Sequence, residues 1–320
     1  MILVTGATGF VGTNLCRTLE ERGLDYLALV RSPEKAVERG LASERLLQGD
    51  LSGKLPALPE GLNLVVHLAG LLHALDPQEM LRVNEAGTQK LVERVREQAP
   101  AAKWIQVSSL AAAGPSADGG QSGLPPDLCR PVSRYGESKL AAEKVVAASG
   151  LPFVTLRPGI VYGPWDSDVL TLFRSCAKGI ALLAGPSVRY SLVHVDDLVA
   201  AVLAALERSD FAGQYLPIAH EEPLGDAEWM RLIGRAVGRK IRILRLPLFA
   251  AKLTAELAEL WGRMRGKAPV FGRDKYREMR AGSWICDPGP AQAHLGFRGG
   301  TAHLAGHEST AGWYRERGLL

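Results

Sequence analysis

The segment Thr5-Gly6-Ala7-Thr8-Gly9-Phe10-Val11-Gly12 constrains the fold more than any other part of this 320-residue chain. It follows the short apolar run 2–4 and leads into residues 11–22, whose apolar spacing is helical. Glycines three apart let the backbone turn tightly and approach a ligand closely. The last of them lets a helix pack against a sheet. A pyrophosphate at such a turn meets the free amides and the positive end of the helix. The motif therefore predicts a first strand–helix junction that holds a dinucleotide, with Gly6, Thr8, Gly9, Phe10, Val11 and Gly12 around its phosphates.

The pattern beyond the loop agrees. Apolar runs at 26–30, 44–47, 62–68, 104–107 and 153–156 alternate with helical patterns at 78–98 and 133–148. Continuous apolar strands separated by helices imply a parallel sheet covered on both faces, an α/β Rossmann-type doubly wound fold. After Pro158 the rhythm loosens. Helices are expected at 169–178, 197–207, 226–237 and 249–264, and strands at 191–195, 214–218 and 241–245. A last helix, at 301–317, is expected to break at Gly306 and Gly312. Residues 1–157 read as the cofactor domain, with 190–218 returning to it. Residues 158–189 and 219–320 read as a smaller, mostly helical substrate lobe. The stretch 114–126 is a Gly-, Pro- and Ser-rich loop.

Composition excludes other classes. Hydrophobic residues make up 47% and charged residues 22%, which rules out disorder, collagen and coiled-coil rods. Lys and Arg number 38 against 34 Asp and Glu, a net +4 with no basic block, so nucleic acid is not an expected partner. No apolar run approaches about 18 residues, so no spanning helix is expected. Cys16, Cys129, Cys176 and Cys286 are far apart, without metal-ligand spacing. Free thiols and no metal are expected, and no basic leader precedes the first strand, which points to the cytoplasm.

The ribose end of the dinucleotide is read at the end of the second strand. Counting about 20 residues from the loop reaches either Asp25 or Arg31. Asp25 precedes that strand, at the wrong edge of the sheet. Arg31 follows it, where a guanidinium can pair with a 2′-phosphate. NADP is therefore favoured over NAD. A second constellation is Tyr135-Gly136-Glu137-Ser138-Lys139, in which Tyr and Lys at i and i+4 share a helix face. A neighbouring ammonium would lower a phenol's titration point, and a hydroxyl from Ser108 or Ser109, at a strand end, could bind a substrate carbonyl. Such a set transfers a proton while hydride moves.

Together with Asp50-Leu51, His67–Gly70, Asn84, Arg157-Pro158-Gly159, Val161–Pro164, His194–Asp197, Leu295-Gly296-Phe297 and Trp313-Tyr314, these motifs resemble the extended short-chain dehydrogenase/reductase family along the whole chain. The family's NAD-dependent epimerase/dehydratase type is meant. The C-terminal part looks nearer its 3β-hydroxysteroid dehydrogenase and dihydroflavonol reductase branches. The resemblance implies that Tyr135 is the acid/base and that Lys139 lowers its pKa and holds the nicotinamide ribose. It makes Ser109 the group that orients the reacting oxygen and places Asn84 near the site. Asp50 and Leu51 would border the adenine. Ala69, Gly70 and Ser108 would line the cofactor's path, and Pro158, Gly159 and Ile160 would pack at its nicotinamide end. His67 reads as a core histidine, Asp50 alternatively as a turn cap, and His194 and Asp197 as fixing a loop–helix junction, with Asp196 or Asp197 as N-cap.

One departure from the family pattern bears on function. Ala112-Ala113-Gly114 stands where many members have Val-Tyr-Gly, which weakens an epimerase reading. The leading expectation is an NAD(P)-dependent oxidoreductase acting on a small-molecule alcohol/ketone pair. The alternatives are a nucleotide-sugar epimerase or dehydratase that recycles its cofactor, and a non-catalytic NADP-binding sensor or assembly factor. Leu253, Leu257, Leu260, Trp261 and Met264 form one apolar stripe on the 249–264 helix. Packing is its expected use, with a lipophilic pocket or a membrane-surface lid as the alternative. By analogy the helices at 78–98 and 133–148 would form a homodimer interface.

Overall fold

A computed structural model describes residues 1–116 and 120–320. The first half builds β1 (Ile2–Thr5), α1 (Phe10–Glu21), β2 (Tyr26–Val30), α2 (Pro33–Glu38), β3 (Leu46–Gln48), β4 (Leu64–His67), α3 (Pro77–Leu81), α4 (Gly87–Gln98), β5 (Lys103–Val107), α5 (Leu110–Ala113), α6 (Arg134–Ala147) and β6 (Phe153–Pro158). Six of these strands and a later one form a seven-stranded parallel sheet in the order β11-β6-β5-β4-β1-β2-β3. Leu3, Val4, Val66, Ile105 and Leu156 are buried within it, as continuous apolar strands covered on both faces require. Strand order runs outward from β1 in one direction and from β4 in the other. The switch point therefore lies between β1 and β4, at their carboxyl ends, where open α/β sheets bind ligands.

The second half adds β7 (Ile160–Tyr162), α7 (Leu170–Ala177), β8 (Ile180–Ala184), β9 (Arg189–Tyr190), β10 (Leu192–His194), α8 (Val195–Leu206), β11 (Gln214–Ile218), β12 (Leu224–Gly225), α9 (Asp226–Ala236), β13 (Arg242–Leu246), α10 (Leu248–Arg265), α11 (Arg273–Arg280), α12 (Gly289–Leu295) and α13 (His303–Glu316). The strand β11 returns to pair with β6, while β10 pairs with β7 outside the large sheet. A separate core gathers Phe173, Trp229, Ile233 and Tyr314. Ala291, Leu295 and Phe297 instead pack into the main core with α8. The cofactor domain thus also takes a piece of the 219–320 stretch, because those side chains cover β11 from outside.

Several local expectations change. The single helix expected at 78–98 is split into α3 and α4 by a π-helical turn, Arg82–Ala86, that carries Asn84. Such turns occur often at functional sites. Residues 43–45 form a 3₁₀ turn before β3 rather than strand. The helix α13 runs unbroken through Gly306 and Gly312. Gly306 is needed there, since a Cβ would lie 2.6 Å from the Tyr162 hydroxyl. The N-cap of α8 is His194, whose Nδ1 accepts the Asp196 amide (3.3 Å). Asp197 instead accepts the Thr301 amide (3.2 Å). The stripe on α10 does not pack inward: Phe249 is 75% exposed and Met264 71%.

The loop at 114–126 falls partly on residues 117–119, outside the described residues. Its described ends are tied to the C-terminal part: Ser116 Oγ accepts the Ile285 amide and Gln121 bridges Cys286. All four cysteines are buried and free.

Candidate active site

Three strand ends meet at the switch point. Gly6 follows β1 with φ +71°, and a Cβ there would lie 2.7 Å from the Ala69 amide nitrogen beyond β4. Gly12 sits on the Gly6 carbonyl, where a Cβ would approach to 2.2 Å. Gly9, the exposed N-cap of α1, has no side chain, so no side chain caps the amides of the first turn. This open end of a helix, beside Thr8, Phe10 and Val11, fits a pyrophosphate. Arg31 follows β2 at the same edge and is exposed. Asp50 Oδ1 accepts the Ser52 amide (2.9 Å) and so caps its own turn, while Leu51 packs toward Gly87.

A hydrogen-bond relay braces the junction. Ala69 N–H donates to Thr5 Oγ1 (3.2 Å), and Thr5 Oγ1 and Thr88 Oγ1 lie 2.8 and 3.0 Å from Nδ1 and Nε2 of His67. Thr88 in turn donates to the Asn84 carbonyl. Burial, and then the Lys139 charge, push His67 down to about 3, so it is a neutral core histidine. Asn84 Nδ2 donates to the Leu71 carbonyl (3.0 Å) and to Ser138 Oγ (2.8 Å), and its Oδ1 accepts the Leu71 amide (2.6 Å). Its amide therefore holds the loop after Gly70 against α6, which makes it a positioning residue in this geometry.

The helix α6 brings the catalytic candidates together. Ser133 caps it, accepting the Gly136 amide (3.0 Å). Gly136 lets α6 rest on α5, since a Cβ would lie 2.3 Å from the Ala111 carbonyl oxygen. Tyr135 and Lys139 share its inner face, at the carboxyl edge of β5. Burial pushes the Tyr135 phenol well above its ordinary value; the Ser109 hydroxyl works against this, and Glu278 and Asp168 add to it. The Lys139 ammonium donates to the Val107 carbonyl (2.8 Å), and burial lowers it to about 8. A Cβ on Gly70 would lie 3.5 Å from Lys139 Nζ and 3.4 Å from Asn84 Oδ1, so these three face one spot. Ser109 Oγ accepts the Ala111 amide (3.1 Å) and caps α5. Ser108 Oγ is buried with no hydrogen-bond partner among the described residues, an orphan that a ligand would satisfy. At the far end, Gly159 packs on the Ser191 carbonyl, where a Cβ would come within 2.3 Å, between Pro158 and Ile160.

Four residues near Tyr135 carry no sequence signal of their own. Asp274 of α11 accepts the amides of Arg134 (2.8 Å) and Tyr135 (3.1 Å), and Glu278 accepts the Ser133 hydroxyl (2.7 Å). A carboxylate at a helix N-terminus is stabilising. His73 Nε2 lies 3.0 Å from Asp168 Oδ2. Burial, the largest single influence, would raise Asp168, but the His73 hydrogen bond and charge together with Lys275 and Ser167 hold the carboxyl below its usual range. The only trace of Asp274 and Glu278 in the sequence is an acidic i,i+4 pair within a basic stretch.

The model of the NAD dependent epimerase/dehydratase family matches residues 2–218. The chain belongs to this family. A ceramide reductase of Caulobacter vibrioides is 32% identical over 100% of this chain and 96% of its own. A UDP-glucose 4-epimerase of Vibrio cholerae is 31% identical over 85% of this chain and 84% of its own. The structure of MoeE5 in complex with UDP-glucuronic acid and NAD superposes with a TM-score of 0.73, at 26% identity over 99% of both chains. The family member described here is therefore an extended short-chain dehydrogenase/reductase with the Rossmann-type fold. It is an NAD(P)-dependent oxidoreductase or epimerase. Among the described residues no helix is long and apolar enough to cross a membrane.

Proposed function

We propose that this protein is an NADP-preferring reductase that interconverts a ketone and a secondary alcohol on a lipophilic small molecule. The observation that carries the reading is the placement of the half-buried Tyr135 phenol beside Ser109 on the helix that also bears Lys139, with burial favouring the protonated phenol. That form is the proton donor a carbonyl reduction needs. The bound nicotinamide supplies the hydride in reduction and accepts it in oxidation. Ser109 orients the substrate oxygen, Tyr135 delivers the proton to it, and Lys139 holds the ribose side beside the Gly70 loop that Asn84 positions. Small, buried Ala112 and Ala113 stand where many family members carry Val-Tyr, which disfavours a sugar-nucleotide substrate. The end-to-end similarity to a ceramide reductase supports a lipid-like substrate. Arg31, at the carboxyl end of β2, supports the 2′-phosphate. A homodimer across α4 and α6 belongs to the same proposal and is read by sedimentation.

A second reading, an epimerase acting on a nucleotide sugar, is favoured by the similarity to the Vibrio epimerase. Cofactor turnover separates the two. Stoichiometric NADPH oxidation with a ceramide-type or sterol-type ketone supports the reductase. Conversion of UDP-glucose with no net change in cofactor overturns it. Tyr135→Phe is expected to abolish turnover while cofactor binding, read by nucleotide fluorescence, is retained. If that variant keeps wild-type turnover, or its function in cells, the catalytic assignment fails.

A further inference from the structure

The helix α10 has its large apolar side chains on the outside. Its 18 residues span about 27 Å. At about 100° per residue, Phe249, Leu253, Leu257, Leu260 and Met264 fall within an arc of about 80°, with Trp261 just beyond it. The residues facing the protein are the small Ala251, Ala255 and Gly262, on the opposite side of the helix. Gly262 rests on Pro269 and Leu75, the latter in the loop beyond Gly70. Leu257 is 57% exposed and Trp261 54%. With about 200 Å² for a complete large side chain, these six expose on the order of 700 Å², above the largest apolar patch usual on a monomer. Exposed Leu244 and Leu246 of β13 lead into the helix through Pro247.

The charge around the helix selects the partner. Residues 242–280 hold ten Lys and Arg against four Asp and Glu, a net +6, whereas the whole chain carries only +4, so the remainder is −2. The acidic residues of this stretch are neutralised in place. Glu256 lies 3.9 Å from Lys252, Glu259 3.4 Å from Arg273, Asp274 3.6 Å from Arg277 and Glu278 2.9 Å from Lys275. At the C-terminal end of α10, Arg263, Arg265 and Lys267 are exposed and pair with no carboxylate among the described residues. Arg265 stacks on Trp261, 3.6 Å above its ring. Arg245 is taken up by Asp226 outside this stretch (2.8 Å), which leaves a net +5, and a second copy of the same face would still bring two strongly basic segments together and repel. An anionic lipid surface complements it: Phe, Leu and Trp enter the headgroup–acyl boundary while the long basic side chains reach the phosphates.

We infer that α10 docks this protein peripherally onto anionic membranes, lying in the interface plane. The adjoining α11 holds the N-terminus of the catalytic helix through Asp274 and Glu278, so docking places the site at the lipid boundary. The inference goes beyond the proposed reaction and is read without substrate.

The test is flotation of the purified chain with vesicles of phosphatidylcholine alone and of phosphatidylcholine with phosphatidylglycerol. Flotation with the second and not the first is expected. Phe249→Glu, Leu257→Glu and Met264→Glu together should abolish it. Arg263→Gln, Arg265→Gln and Lys267→Gln, which change only exposed charges, should weaken it about fivefold per charge. Trp261 emission, taken as the difference between wild type and Trp261→Phe, should shift to the blue on docking. Tyr135→Phe should float as wild type does, which separates failure of docking from failure of the proposed chemistry. No flotation, or flotation unchanged in the glutamine variant, overturns the inference. A wild-type oligomer that dissociates in the glutamate variant also overturns it, assigning the face to a second copy.

Discussion

Lys139 and Arg31 show how much a residue's role depends on its surroundings. The motif spacing places Lys139 on one face with Tyr135, but the ammonium turns to the Val107 carbonyl and titrates at about 8 because it is buried. The sign follows directly: below that pH the group is charged and suited to hold a hydroxyl-rich ribose, and above it the charge is lost. Cofactor affinity is therefore expected to fall as pH rises through about 8. A titration of the cofactor dissociation constant in wild type and Lys139→Met reads this, the variant being weak and flat with pH. Arg31 is exposed at the carboxyl edge of β2. Arg31→Ala should weaken NADP roughly ten- to hundredfold, the worth of a charge-assisted hydrogen bond or two, and NAD far less. Equal loss for both would remove the 2′-phosphate contact. At this scale the glycines were legible, because the positive φ of Gly6 and the packing of Gly12 on the Gly6 carbonyl are set within the loop itself. The work of Asn84 was not, since its partners Leu71 and Ser138 lie 13 and 54 residues away.

The helix bearing Tyr135 and Lys139 is fixed from several sides. Its buried Glu143 forms a two-bond pair with Arg157 of β6 at 3.0 and 2.6 Å, in a place where an unpaired charge would be strongly destabilising. Its first turn is held by Asp274 from a distant helix. Asp274→Ala removes the acceptor of two amides, a loss comparable to a helix cap at about 1 kcal/mol. Steady-state kinetics should then show a lower kcat with the cofactor KM nearly unchanged, because Tyr135 moves and the glycine loop does not. An equal effect on both parameters would mark Asp274 as merely structural. The sequence predicted α6 to within a residue, since Ser133 and the apolar spacing are local signals. It gave no sign of the π-helical turn in front of α4, which follows from packing Asn84 against the loop beyond β4. Nor did it reveal α11, whose eight residues are mostly charged.

The whole molecule carries a pH dependence of its own. Burial holds His67 at about 3 and His307 at about 4, while both would titrate near 6.5 in an unfolded chain. A base with a depressed folded pKa takes up its proton first in the unfolded state. Stability is therefore intact above about 6.5 and falls as pH drops toward 4, by on the order of 1.4 kcal/mol per unit for each histidine. His307 accepts from Trp229 Nε1 (2.9 Å), a bond that protonation would break. Thermal unfolding between pH 7 and 4.5 should show a steadily falling Tm, with a shallower slope in His307→Gln. The sequence by itself determined the strand–helix alternation, the parallel sheet, the glycine turn and the helix bearing Tyr135 and Lys139. Each of these depends on periodicity or on sterics within a few residues. Only the tertiary structure decided which way α10 faces. An amphipathic stripe specifies that one face differs from the other, and the small Ala251, Ala255 and Gly262 on the far side let that far side pack closest to the protein. It also decided that a carboxylate from α11 caps α6 and that Lys139 is buried. Those outcomes depend on contacts between segments from 32 to well over a hundred residues apart, such as Lys139 with Val107 and Asp274 with Arg134, and on desolvation that no single stretch of sequence encodes.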